Sequence, residues 1–152
     1  MKTISNKEFN FIIYTDGACL GNPGPGGWAA IIINENNEKK EISGSEENTT
    51  NNRMELQACI NALNFTKAGD NLRVYTDSKY LIDGIESWIQ KWKKNGWLTA
   101  NKKSVKNRDL WVKLDSLIHD KNIEWEWVKG HSGNKFNEEV DLLARKKATS
   151  LN

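Results

Sequence analysis

Two apolar runs that each end on an aspartate limit what this chain can fold into. Phe9 to Thr15 (FNFIIYT) is β-branched and aromatic and closes on Asp16-Gly17, and Leu72 to Thr76 (LRVYT) closes on Asp77. Both read as buried strands, because such side chains suit a pleated surface covered on both faces. Between them, Trp28 to Ile33 and Lys39 to Gly44 predict two more strands across an Asn-Glu-Asn-Asn turn. The run GNPGPGG, Gly21 to Gly27, predicts a loop, since Gly and Pro interrupt helix and strand alike. Asn51 to Lys67 predicts a helix: Met54, Ala58, Ala62 and Phe65 recur at helical spacing, and Gly69 stops it. Ser78 to Glu86 and Ser87 to Lys94 predict two short helices, and Arg108 to His119 a longer one. Ile123 to Val128 predicts a last strand, and Glu138 to Thr149 a closing helix.

These elements imply an α/β class with a five-stranded mixed sheet, an antiparallel meander first and parallel strands after, flanked by helices. In a three-strand meander the third strand runs with the first, and a right-handed helical crossover makes the fourth parallel to it. Asp16 and Asp77 then share the carboxyl edge of the sheet, where open α/β sheets build their sites. Neighbouring strands lie about 5 Å apart, close enough for both aspartates to reach one cation. On pattern alone Glu55, among Met54, Leu56 and Ala58, reads either as an outward, solvated acid or as a third ligand. Asp141, placed one turn into the last helix, reads either as an acid favoured by the helix dipole or as a fourth. Clustered carboxylates survive by protonating or by holding cations, and oxygen-only donors select Mg²⁺ or Mn²⁺ over zinc. His131, in the glycine-flanked Lys129-Gly130-His131-Ser132-Gly133, reads either as an exposed loop histidine or as a proton shuttle.

The net charge of +2 hides a segregation. Lys91, Lys93, Lys94, Lys102, Lys103, Lys106 and Arg108 fall between Ser87 and Arg108 with no acid among them, leaving 15 basic against 20 acidic residues elsewhere. Trp88, Trp92 and Trp97 are interleaved with those lysines. Such a segment suits phosphate attraction with aromatic contact to sugars or bases, or else is a solvated lysine face over core tryptophans. Carboxylates plus a cationic arm point to phosphodiester hydrolysis.

At 152 residues, with no repeat or linker, the chain reads as one domain, 1–152, with the basic arm at about 88–106. No apolar run reaches the ~20 residues of a membrane span, and Met1 to Glu8 lacks a signal-peptide core. Cys19 and Cys59, forty apart, fit neither a disulfide framework nor a zinc knuckle. A reduced, cytoplasmic, monomeric protein is the expectation.

The segments YTDGACLGNPGPGGWA, TTNNRMELQACINAL, VYTDSKYLIDGI, KKNGWLTANKKSVKNRDLW and WEWVKGHSGNKFNEEVDLLAR, in this order, closely resemble bacterial type 1 ribonuclease H. The resemblance runs from about Phe11 to Ala148 and implies the ribonuclease H-like fold with a basic protrusion. It implies endonucleolytic hydrolysis of the RNA strand of RNA/DNA hybrids by two metal ions, Mg²⁺ or alternatively Mn²⁺. The expected products are 5′-phosphate and 3′-hydroxyl ends, with little sequence specificity. By the same resemblance, Asp16, Glu55, Asp77 and Asp141 are metal-binding and catalytic carboxylates, and His131 is a catalytic loop histidine. Cys19, Asn22, Asn51 and Asn52 match hybrid contacts, Thr50 a DNA-phosphate contact, and Asn137 a polar residue near the catalytic centre. Trp88, Lys91, Lys93, Lys94, Trp97 and Lys102 match the substrate-binding handle. Lys79 departs from the pattern, standing after TDS where relatives often carry Gln.

Overall fold

The computed structural model describes residues 8–129 and 134–150. Five strands, β1 (Phe11–Cys19), β2 (Gly24–Asn34), β3 (Lys39–Thr49), β4 (Asn71–Thr76) and β5 (Asn122–Trp127), form one sheet in the order β3-β2-β1-β4-β5. β1 pairs antiparallel with β2, and β2 with β3, whereas β1 is parallel to β4 and β4 to β5. The meander followed by a helical crossover thus produces the topology its connections require.

Helices cover both faces. On one, α5 (Lys135–Thr149) lays Val140 and Ala144 against Tyr14, Ala29 and Ile31. On the other, α1 (Asn51–Leu63) and α4 (Arg108–Ile118) bury Leu56, Ile60, Leu63, Leu110, Trp111 and Leu114 against Ile13, Leu72 and Val74. The segment after β4 is one continuous helical rod: α2 (Lys79–Asp83), a π-helical turn (Gly84–Trp88) and α3 (Ile89–Lys94). It replaces the two separate helices expected from sequence. The extra residue in the π turn re-aims the side chains beyond it. Trp88 and Trp92 pack as tilted rings with centroids 5.8 Å apart, Trp88 edge-on to Tyr80 and Trp92 edge-on to Trp111.

Other boundaries shift for identifiable reasons. β1 does not stop at Thr15; it continues to Cys19, but only along β2, because its pairing with β4 ends at Tyr14–Tyr75. Asp16-Gly17 is therefore strand, not turn. A Cβ on Gly17 would lie 2.5 Å from the backbone of Met54 and Glu55, so glycine here allows α1 to press onto the strand. β2 likewise begins inside the glycine run. Gly27 lies under α5, where any side chain would collide with the Ala144 carbonyl and the Ala148 amide. These glycines admit another backbone and need not break a strand. α1 ends at Leu63, four residues before Lys67, and tight turns carry the chain out, leaving Phe65 45% exposed instead of on the inner face. α5 starts at Lys135, its Asn137 amide capped by Asn134 Oδ1 at 3.0 Å. Asp141 accordingly sits nearly two turns into the helix, not one.

Candidate active site

Where β1 and β4 part company, the chain leaves β4 toward one face of the sheet and β5 toward the other, opening a crevice at the carboxyl edge. Asp16 projects from the part of β1 that has parted from β4, Asp77 follows β4 directly, and Glu55 turns inward from the second turn of α1. One carboxylate oxygen from each lies within 4.8 Å of the others. At that separation and an effective dielectric of about 20, each charged pair repels by about 3 to 4 kcal/mol.

Burial compounds the repulsion. Asp16 and Glu55 are only 3% and 4% exposed. Desolvation first, then the charge of Asp77, pushes the Asp16 carboxyl up to about 8. Desolvation, then Asp16 and Asp77, holds Glu55 well above the usual carboxylate range. Asp16 Oδ1 accepts the Gly17 amide at 2.9 Å, yet Asp16 Oδ2 and Glu55 Oε1 are buried with no hydrogen-bond partner. Two orphaned carboxyl oxygens in one acidic cluster fit hard divalent cations, whose oxygen-only coordination this donor set matches.

Asp141 borders the same crevice and acts on Asp16, but it stands outside the tight group of three. Its carboxylate is paired with Arg145 at 2.9 Å, one turn on. The crevice, about 510 Å³, is lined further by Cys19, Asn51, Asn52, Lys79 and Tyr80. Asn51 and Asn52 open α1, so the amino end of that helix faces the crevice. Thr50 caps it, its Oγ1 accepting the Arg53 amide at 3.2 Å. Cys19 Sγ donates to the Gly24 and Thr49 carbonyls at 3.5 and 3.4 Å. Asn22 is exposed beyond the crevice, and Asn137 is buried in α5 away from its lining. His131 lies outside the described residues.

The basic arm divides into lysines and rings. Trp88, Trp92 and Trp97 are half-buried against the core around α4. Lys91 and Lys106 flank a hollow of about 370 Å³ floored by Tyr80, Trp88 and Trp92. Lys94 and Lys102 are exposed, and Lys93 reaches Asp115 at 3.4 Å. Tyr80 borders both hollow and crevice, and its hydroxyl accepts from Asn107 Nδ2 and Trp111 Nε1, each at 3.0 Å. Arg53 completes the bridge, donating to Asn107 Oδ1 at 3.3 Å and to both Asp109 oxygens at 3.0 and 2.8 Å. Sequence reasoning missed Arg53, Asn107 and Arg145. The Asp141–Arg145 spacing of four was a usable signal; nothing local marked Asn107, whose left-handed backbone (φ 61°) depends on tertiary context.

The model of the RNase H family matches residues 8–149. The chain belongs to the ribonuclease H family. Its relatives include a ribonuclease H of Wolbachia pipientis wMel, 59% identical over 94% of this chain and 97% of the relative. Among solved structures, LC9-RNase H1, described as a type 1 RNase H with the type 2 active-site motif, is 30% identical with a TM-score of 0.82. That likeness covers 93% of this chain and 73% of the other. LC11-RNase H1, solved with an RNA/DNA hybrid, shares the fold at 23% identity and a TM-score of 0.70, covering 93% of this chain and 98% of its own. Family membership makes this chain an endoribonuclease, a hydrolase of phosphodiester bonds.

Proposed function

We propose that this ribonuclease H cleaves the RNA strand of RNA/DNA hybrids with two divalent ions, giving 5′-phosphate and 3′-hydroxyl ends with little sequence preference. The observation that carries the reading is a cluster in which Asp16, Glu55 and Asp77 each bring a carboxylate oxygen within 4.8 Å of the others, while Asp16 Oδ2 and Glu55 Oε1 are buried without a hydrogen-bond partner. A carboxylate set so repulsive is a poor binder of anything anionic until cations neutralise it. Asp16, Glu55 and Asp77 would hold Mg²⁺, with Asp141 completing the set once released from Arg145; Mn²⁺ has the same donor preference. When bound, the ions supply charge neutralisation and Lewis acidity at the scissile phosphate.

The protein's part is orientation. Asn51, Asn52 and neighbouring backbone offer short hydrogen-bonding groups beside the carboxylates, suited to 2′-hydroxyls in a shallow minor groove. Cys19 and Asn22 extend that contact, and Thr50 meets a phosphate of the DNA strand. Trp88, Lys91, Lys93, Lys94, Trp97 and Lys102 grip the DNA strand through phosphates, which carry no sequence information. His131 moves the proton that the departing 3′-oxygen must gain, and Asn137 seats the start of α5 behind the site. The protein works as a cytoplasmic monomer, and among the described residues no helix is long and apolar enough to cross a membrane.

Digesting end-labelled hybrid, duplex DNA and duplex RNA with Mg²⁺, followed by end-group analysis, tests the reading. Cleavage of the RNA strand of the hybrid alone is expected; equal cleavage of either duplex would overturn it.

A further inference from the structure

Lys79 is the cation that sequence reasoning set aside, and its placement gives it a use. It opens α2 two residues beyond Asp77, at the mouth of the crevice that Asp16, Glu55 and Asp77 line. An ammonium beside so many carboxylates would ordinarily fold onto one of them. Instead Lys79 Nζ lies 4.9 Å from the ring centroid of Trp127, and among the described residues it forms no ion pair. The ring is itself tethered, Trp127 Nε1 donating to the Asp77 carbonyl at 3.2 Å, and remains 43% exposed.

We propose that Trp127 perches Lys79 at the crevice mouth, keeping it off the metal-binding carboxylates, and that Lys79 transfers from the ring to a backbone phosphate of the strand entering the crevice. The proposal rests on the hybrid-cleaving reading above and adds a binding residue to it. An exposed cation–π contact is weak, whereas an ammonium–phosphate hydrogen bond is charge-assisted, so substrate wins the lysine. A flexible stem with three donors lets Lys79 reach a phosphate without a fixed geometry.

Steady-state cleavage of one labelled RNA/DNA hybrid with Mg²⁺, over roughly 50 to 300 mM KCl, tests this. Lys79→Met is expected to raise KM about fivefold, leave kcat within about twofold, and reduce the slope of log kcat/KM against log salt by about 1. Lys79→Arg should restore most of the loss. Trp127→Leu should raise KM when Lys79 is present and add nothing in the Lys79→Met background, while Trp127→Phe, which keeps a smaller ring face and loses the N–H tether, should raise KM less and likewise add nothing in that background. An unchanged salt slope in Lys79→Met, or a fall in kcat with KM unmoved, would overturn the phosphate role. Additive effects of the two substitutions would overturn the perch. If Trp127→Leu does not fold, Lys79→Met and Trp127→Phe decide the matter by the same criteria. Wild-type enzyme inert on the hybrid would instead sink the substrate reading, and this proposal with it.

Discussion

Asp16 and Glu55 are almost fully buried, each with one carboxylate oxygen that bonds nothing, whereas Lys91, Lys94 and Lys102 of the basic arm stand in solvent around a ring cluster that supplies the packing. The crevice concentrates like charge where water cannot screen it, so its folded state is strained until cations arrive. The arm spreads like charge where water screens it, at little cost to the fold. A catalytic centre must be held tense and specific; a grip on a polyanion needs only to be positive and well supported. The network Arg53–Asn107–Tyr80 joins the two regions.

The largest expected effect is at the tense end. Asp16→Asn should abolish cleavage, lowering kcat by at least about 10³-fold, as expected for loss of a group on which the charge stabilisation depends. Without metal the same variant should melt about 3 to 6 °C higher at pH 7 by calorimetry, because the folded state no longer has to hold, desolvated and beside Asp77, a carboxyl that the unfolded chain would ionise. A lower melting temperature would break the contrast with the arm. Next is pH. The unfolded chain loses its Asp16 proton near the ordinary value of 3.8, the folded chain near 8, so stability conferred by the retained proton is full at low pH. Metal-free wild type should therefore lose stability as pH rises from about 4 toward 8 and level off above, a slope that Asp16→Asn should flatten and saturating Mg²⁺ should reduce. Denaturant titration at several pH values, with chelator and with Mg²⁺, reads it directly.

At the arm, replacing Lys91, Lys93, Lys94 and Lys102 together by Ala should raise KM about tenfold or more and flatten its salt dependence, with kcat and melting temperature nearly unchanged. A collapse of kcat would make the arm structural and erase the distinction. The smallest effect is at the joint. Arg53→Ala breaks a bidentate pair whose Asp109 side is 61% exposed, so the stability loss should stay near 1 kcal/mol. Its sharper readout is a double-mutant cycle with the lysine variant: coupling in KM would show that the bridge orients the arm.

Asp16 and Asp77 were readable because hydrophobic runs ending in an acid, plus the handedness of one crossover, fix where two side chains emerge. Inward rotation of Glu55 was not, since one glutamate within an apolar helix face has two sensible directions; the motif resemblance, not its periodicity, singled it out. Two glycines misled for a physical reason. Gly17 and Gly27 serve close approach of helices that are distant in sequence, a demand local propensity does not register. The rings of Trp88, Trp92 and Trp97 show the reverse case: composition could not say whether they face solvent or core, and the π turn that aims them leaves no pattern in the residues.

The seating of α5 on Gly27 reaches further than packing. Three of the proposed acidic ligands ride on β1, the end of β4 and α1, but Asp141 rides on a helix whose seating on the sheet depends on the missing methyl group of Gly27. Gly27→Ala would act as a wedge, lifting that helix one turn from Asp141 and retracting the fourth carboxylate while leaving every acid chemically intact. Catalytic geometry here is thus partly a matter of clearance, adjustable from a residue that bears no functional group at all.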